Sequence, residues 1–428
     1  MASLPPEMWH EILRYIPAQS TYPKLLTVNS VVFHILGQEV EEPRELTFHR
    51  DPAVAARVHS MDLDISLSNE PIDDILALLS SCLIHLVNIT KFSSSILTQG
   101  GLKPICVRLR PLFEDIWASF GPRLGSLTLG VGVSQYAHFA LDRSRLSGIN
   151  SLYLCLYWAN PTDPDGSSRE TLLATTILPC LLSVKNQLQS LGLTFLAPIN
   201  DSSAFFTKMR PFPHLRSVSL LPPSNATLQS ISCALENCSA VLQTLNLNLA
   251  HLPIEGIDMG EISGCLRHSR VQTLIIQPQS PSANSLRGAD SVGKLIYMVQ
   301  ETVTSVVART NEWSTTEEFF SLFAALATCP LLEHLEIQIN CLDTVVMGQL
   351  AQSLPRLKTL VVLHRMHYRS PQHESMFNAL EEEEYSTWEL KSLSIYRNTR
   401  TTPDRSEQPP TTAYQAVQAP QPISPCLN

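Results

Sequence analysis

Charge is what this sequence lacks most. Only 16% of its 428 residues are Asp, Glu, Lys or Arg, against about 25% in ordinary soluble proteins. With 44% apolar residues, the chain cannot be disordered throughout, because disorder requires low hydrophobicity and high net charge. Long hydrophobic runs are missing as well. The stretch Thr171–Val184 is broken by threonines and Pro179, short of the ~18 uninterrupted apolar residues that a spanning helix needs, so no membrane partner is expected. Basic residues number 30 and acidic ones 39, for a net charge of −9, and no Lys/Arg run exceeds two residues. Phosphate binding needs a concentrated basic surface, so no nucleic acid is expected either. The acidic run Glu381–Glu384 reads as a solvated helix face.

Catalytic and cofactor motifs are equally scarce. The sequence contains no Gly-x-Gly-x-x-Gly, no phosphate loop, no Gly-x-Ser-x-Gly and no His-Glu-x-x-His. Its ten cysteines form no Cys-x-x-Cys pair, and the spacing from Cys233 to Cys238 suits neither zinc nor a redox dithiol. That usage fits reduced intracellular thiols. The opening Met1-Ala2-Ser3-Leu4-Pro5-Pro6-Glu7 has neither a basic nor an apolar signal region, so the expected location is cytoplasmic and/or nuclear. The sequons at Asn88, Asn200, Asn225 and Asn237 then carry no weight. His364, His367 and His373 could in principle hold zinc, but Arg365 and Arg369 between them disfavour a cation. Asp62 with Asp64 reads as one strand face, Asp73 with Asp74 as a helix start, and Gly125, Gly130 and Gly132 as turn residues. No metal, no cofactor and no enzymatic activity are expected.

What is present is a repeat. The phrase Leu-x-x-Leu-x-Leu, with Ile or Val allowed, occurs eleven times, counting Val58-Met61-Leu63 as the first copy. Its copies begin at Val58, Ile84, Leu124, Ile149, Leu188, Leu215, Leu242, Val271, Leu332, Leu357 and Leu390. Six of the ten steps between starts span 25 to 29 residues. Between phrases, apolar residues recur three and four apart, as in Ile72–Leu79 and Thr227–Leu235, which predicts helices. Ser314-Thr315-Thr316-Glu317 fits a capping box ahead of Phe319, Phe320, Phe323 and Leu326, and Asp343 caps Val346–Leu354 similarly. Pro122, Pro213, Pro330 and Pro355 break the chain before several phrases. The unit is helix, tight turn, short strand, and the fold class is α/β. Three buried aliphatics cannot offset the entropy of ordering a whole unit, so the units must stack.

The phrase Cys329-Pro330-Leu331-Leu332-Glu333-His334-Leu335-Glu336-Ile337 resembles the strand segment of leucine-rich repeats, and the resemblance extends over about residues 55–397. It implies an irregular solenoid with a curved parallel sheet and helices on the convex side. The expected array covers 47–397, with an irregular insertion at about 278–313 and a Pro-rich disordered tail at 398–428.

Within each phrase the third, fifth and seventh residues point away from the core, because alternate strand residues face opposite sides. The third position is Ser or Thr in nine of the eleven copies: Ser60, Ser126, Ser151, Ser190, Ser217, Thr244, Thr273, Thr359 and Ser392. These read as a ladder of small hydroxyls that lets strands pack closely. The fifth and seventh positions vary, which suits recognition of a target protein. Candidate target-binding residues are Tyr153, with Tyr157 and Trp158 nearby as aromatic anchors, Asn246, Asn248, Glu336, Gln338 and Val361.

At the N-terminus, Pro5 and Pro6 suit a first helical turn and Glu7 complements its dipole. Met8, Trp9, Ile12, Leu13 and Ile16 share an apolar face that ends at Pro17. A second apolar helix is predicted from Lys24 through Leu26, Val28 and Phe33 to Leu36. Helix physics alone leaves two readings open, a cap on the array or a docking surface. The residues Leu4-Pro5-x-Glu7, Ile12-Leu13-x-x-Ile16-Pro17 and Leu25-Leu26-x-Val28-Asn29-x-x-x-Phe33 resemble an F-box, similar to a divergent form with Glu-x-Trp found in fungal families. That resemblance covers about residues 3–46, within a helical segment expected over 1–46. It implies binding of a Skp-type adaptor, and through it a cullin–RING ubiquitin ligase, by Leu4, Pro5, Glu7, Ile12, Leu13, Ile16, Leu26 and Val28. The chain would then be the substrate-recognition subunit, with no catalysis of its own. The alternative is a non-ligase interaction scaffold whose N-terminal helices only cap the solenoid.

Overall fold

The computed structural model describes residues 30–36, 55, 58–67, 73–98, 103–133, 136, 146–157, 169–196, 203–209, 211–223, 231–232, 235–236, 238, 241–248, 266, 269–277, 286–309, 316–339, 344–364 and 388–397. The chain divides into two compact units, residues 1–200 with 208–214 and residues 201–207 with 215–428. Each is a parallel sheet with helices in the crossovers, an α/β architecture.

In the first unit the strands are β1 (Ser30–Leu36), β2 (Ser60–Leu67), β3 (Lys91–Thr98), β4 (Ser126–Gly132), β5 (Ser151–Tyr157) and β6 (Ser190–Phe195). They pair in sequence order, all parallel. In the second unit the strands are β7 (Ser217–Leu221), β8 (Thr244–Asn248), β9 (Thr273–Gln277), β10 (Ser305–Ala308), β11 (His334–Ile339), β12 (Thr359–His364) and β13 (Ser392–Arg397), again parallel and sequential. Parallel neighbours need a crossover between them, which is what the segments between phrases supply.

The register comes from the main chain. In the first unit the carbonyls of His59, Thr90, Gly125 and Asn150 each accept two bonds, from consecutive N–H groups that open the next strand, at 2.7–3.1 Å. In the second unit the carbonyls of Arg216, Gln243, Gln272, Thr304, Glu333 and Lys358 do the same. The second position of the phrase enters this ladder through its main chain, so the register does not depend on which side chain stands there. Alternation then follows from the pleat. Leu152, Leu154 and Leu156 of β5 are buried while Ser151, Tyr153, Cys155 and Tyr157 on the other face are only half-buried.

The buried face packs on helices. In α1 (Asp73–Leu83), Leu76, Leu79 and Leu83 are buried. In α2 (Lys103–Phe120), Leu109, Leu112, Phe113, Ile116, Trp117 and Phe120 are buried at helical spacing. Phe92 of β3 meets the rings of Phe113, Trp117 and Phe120 edge-on, with centroids 6.0–6.2 Å apart. Between α3 (Arg169–Leu172) and α4 (Leu178–Val184) the chain widens into a π turn, Leu173–Ile177. Pro179 follows immediately. It cannot donate to the carbonyl four residues back and its ring would crowd that carbonyl, which a widened turn relieves. In the second unit, α5 (Leu286–Val299) packs on α6 (Thr316–Leu326), and α6 on α7 (Thr344–Ser353). Gly293 makes the first contact close, since a Cβ there would lie 3.5 Å from the Ala325 Cβ.

Three expectations are corrected. The second helix predicted over 24–36 is a strand from Ser30 to Leu36, paired with β2. Its phrase, Val28-x-x-Val31-x-Phe33, carries the repeat spacing in the sequence. The phrase at Ile84 is a helix end: Ile84 and Val87 are 66% and 40% exposed. The strand phrase there starts at the buried Ile89 and continues through Phe92 to Ser94. Finally, the supposed irregular insertion at 278–313 contains α5 and β10, and β10 pairs with both neighbours. The tail at 398–428 lies outside the described residues.

Candidate functional site

The helices cover one face of each sheet, and the other face carries the candidate site. In the first unit, the fifth and seventh positions of β3 to β6 lie in two register rows. One holds Ser93, Thr128, Tyr153 and Gly192, the other Ser95, Gly130, Cys155 and Thr194. Tyr153 is the bulkiest group and is fixed by both neighbours on β6. Its hydroxyl is 2.6 Å from Thr194 Oγ1. A Cβ built on Gly192 would fall 1.9 Å from the Tyr153 Cδ2, so the ring occupies the space above the glycine backbone. An aromatic laid over a strand glycine fills the gap that the missing side chain leaves. Tyr157 sits on the same face at the end of β5, half-buried. Burial holds the Cys155 thiol up at about 11, so it is protonated at neutral pH and is no nucleophile. Tyr136 is buried and donates to the Leu129 carbonyl at 2.9 Å.

In the second unit, Asn246 and Asn248 of β8 face the same side as Ser219 of β7 and Gln277 of β9. Asn246 Nδ2 donates to Ser219 Oγ at 3.1 Å and Asn248 Nδ2 to Gln277 Oε1 at 2.9 Å. Glu336 stands beside Val361 in register and pairs with Arg309, Nε to Oε1, at 2.7 Å. Lys358 forms a second ion pair with Glu333. Gln338 is buried at 8% exposure, whereas Asn246, Glu336 and Val361 are half-buried.

Three pairs of candidates thus share a sheet face, Tyr153 with Tyr157 in the first unit, and Asn246 with Asn248 and Glu336 with Val361 in the second. Trp158 lies outside the described residues, as do Leu4, Pro5, Glu7, Ile12, Leu13, Ile16, Leu26 and Val28 and the histidines 367 and 373. Sequence reasoning missed Gly192, Thr194, Ser219, Gln277 and Arg309. The first four occupy the same fifth and seventh positions as their partners, so reading each row across neighbouring phrases would have found them. Among the described residues no group of three His, Cys, Asp or Glu is placed to hold a metal, and no helix is long and apolar enough to cross a membrane.

No family model matches the chain, and no curated protein matches it. Among solved structures, the crystal structure of the TLR13-ssRNA13 complex is similar at 13% identity, with a TM-score of 0.34, over 75% of this chain and 38% of that one. The chain thus spans well under half the length of that neighbour. The repeat architecture rests on the strand register and on the paired main-chain bonds.

Proposed function

We propose that the chain is a non-catalytic receptor whose uncovered sheet faces bind a target protein, acting as the recognition subunit of a Skp–cullin–F-box ubiquitin ligase. One observation carries the receptor part. A constant main-chain register presents side chains that differ from strand to strand: Tyr153 held over Gly192, the Asn246–Ser219 and Asn248–Gln277 pairs, and the Arg309–Glu336 ion pair. Groups already held by neighbours lose little freedom when a partner binds. The ligase part rests on the sequence from Leu4 to Pro17. Its mechanism is proximity: the N-terminal residues hold the adaptor, the sheet faces hold the target, and other subunits transfer ubiquitin at high effective concentration.

Co-purification with a Skp-type adaptor tests this reading. Wild type should retain the adaptor, and a Leu4/Pro5/Ile12/Leu13 quadruple alanine variant should lose it; equal retention rules out the ligase role. A second reading, an interaction scaffold with no ligase role, is favoured by the pairing of β1 with β2. That pairing commits residues 30–36 to the sheet, as a capping segment requires. The scaffold reading predicts no adaptor in either preparation.

A further inference from the structure

The uncovered face of the second unit carries an ion pair whose positive member stands outermost. Arg309 is 45% exposed and Glu336 only 15% exposed, so a partner meets the guanidinium there rather than the carboxylate. The pair engages Arg309 through Nε, at 2.7 Å from Glu336 Oε1. Among the described residues the Nη groups of Arg309 bond to nothing. An arginine with both Nη groups still to donate can grip a second carboxylate in two places.

Gln277 supplies a donor beside it. Arg309 continues the β10 ladder, its N–H donating to the Ile276 carbonyl at 3.0 Å, so it stands next to Gln277 as Ala308 stands next to Ile276. Strands so paired lie about 4.8 Å apart. Asn248 Nδ2 donates to Gln277 Oε1 at 2.9 Å, which occupies the amide oxygen and leaves the Gln277 Nε2 group to donate. These two neighbours therefore offer N–H groups and positive charge. A lysine or arginine of a partner would be repelled by the exposed guanidinium, and a neutral amide would gain no charge-assisted bond. A carboxylate fits, because its two oxygens accept from several donors at once.

We propose that the uncovered face of the second unit selects targets bearing an Asp or Glu side chain, whose carboxylate is held between Arg309 and Gln277. This rests on the receptor reading above and adds to it the chemistry of the bound residue.

The test uses the full chain, immobilised, and a degenerate peptide library whose central position is Asp, Glu, Asn, Gln or Lys. Peptides retained by wild type should be enriched several-fold in Asp or Glu over Asn or Gln at that position, and raised salt should reduce the enrichment. Arg309→Gln should abolish the enrichment while leaving the melting temperature close to wild type, because the ion pair it breaks is reached by solvent. Gln277→Glu should abolish it as well, since it sets the chain's own carboxylate beside Arg309 while keeping an acceptor for Asn248. The proposal is overturned if wild type shows no preference for Asp or Glu, or if the preference survives either substitution. Peptides retained without that preference overturn it alone, whereas a wild type that retains no peptide overturns it together with the receptor reading.

Discussion

The Tyr153 ring and a side chain at position 192 cannot coexist. A Cβ on Gly192 would lie 1.9 Å from one ring carbon and 2.6 and 2.9 Å from two others, the last being the ring's attachment carbon. Gly192→Ala must therefore swing the whole ring away and break its bond to Thr194. Overpacking of this kind costs about 1–3 kcal/mol. Chemical denaturation should show that loss in the wild-type background and far less of it in a Tyr153→Ala background, a coupling expected only of groups in contact. Additive effects of the two changes would disprove the account. Tyr153→Phe, which keeps the ring over the glycine and removes only the hydroxyl bond, should cost about 0.5–1.5 kcal/mol.

Gly148 makes a tighter demand, because its neighbours are main chain. A Cβ there would meet the Pro122 carbonyl oxygen at 2.8 Å and the Leu124 carbonyl oxygen at 3.1 Å. No rotamer relieves such a contact, so the turn before β5 must shift. Gly148→Ala should lower stability by about 1–3 kcal/mol, and thermal unfolding should register it, whereas Gly348→Ala serves as the control. Nothing lies within 4 Å of a Cβ at 348, and that helical exchange should stabilise by about 0.5–1 kcal/mol. If both variants melt alike, close approach is not what fixes glycine at 148.

Strands were legible where aliphatics fill every inward position, and hidden where another residue fills one. Phe92-x-Ser94 breaks the leucine pattern because Ser94, 1% exposed, takes an inward place. The preceding helix supplied a decoy instead, since Leu83 and Leu86 are buried at helical spacing beside Ile84 and Val87. Ala308 closes the phrase Val303-x-x-Val306-x-Ala308 and concealed β10, although Val303, Val306 and Ala308 are all 0% exposed. Phe33 likewise made β1 look like a continuing helix. The site was legible only as positions. Face alternation named Tyr153 and Asn246, but their partners lie 41 and 27 residues away, a separation that only the register of parallel strands brings together.

The Arg309–Glu336 pair separates stability from recognition. Arg309 is 45% exposed and Glu336 15% exposed, and ion pairs reached by solvent contribute about 0–1 kcal/mol. Glu336→Gln should therefore change the unfolding free energy by less than about 1 kcal/mol, and raised salt should shrink the difference further. A larger loss would mean that the carboxylate is structural. Because the fold survives the change, any fall in target capture by Glu336→Gln reports on contact with the target itself.

Burial keeps four thiols, Cys155, Cys180, Cys238 and Cys329, protonated beyond their ordinary range. Burial raises Cys180 and Cys238 from an ordinary 9.0 to about 12, and Cys155 to about 11. For Cys329 burial also gives about 11, against a lowering hydrogen bond from Thr328. Burial likewise raises Tyr136 well above its ordinary value. Above pH 9 the unfolded chain releases thiol protons that the folded chain keeps, so the unfolded state binds fewer protons and unfolding becomes easier as pH rises. The contribution is fully present below pH 9 and is lost progressively toward the folded values of 11 to 12. Urea unfolding should thus give a free energy insensitive to these groups up to pH 8 and falling beyond pH 9. A Cys180→Ala/Cys238→Ala variant should start less stable, because it leaves two small cavities, yet decline less steeply between pH 9 and 11. Equal slopes for the two proteins would show that these thiols ionise as freely in the folded chain as in the unfolded one.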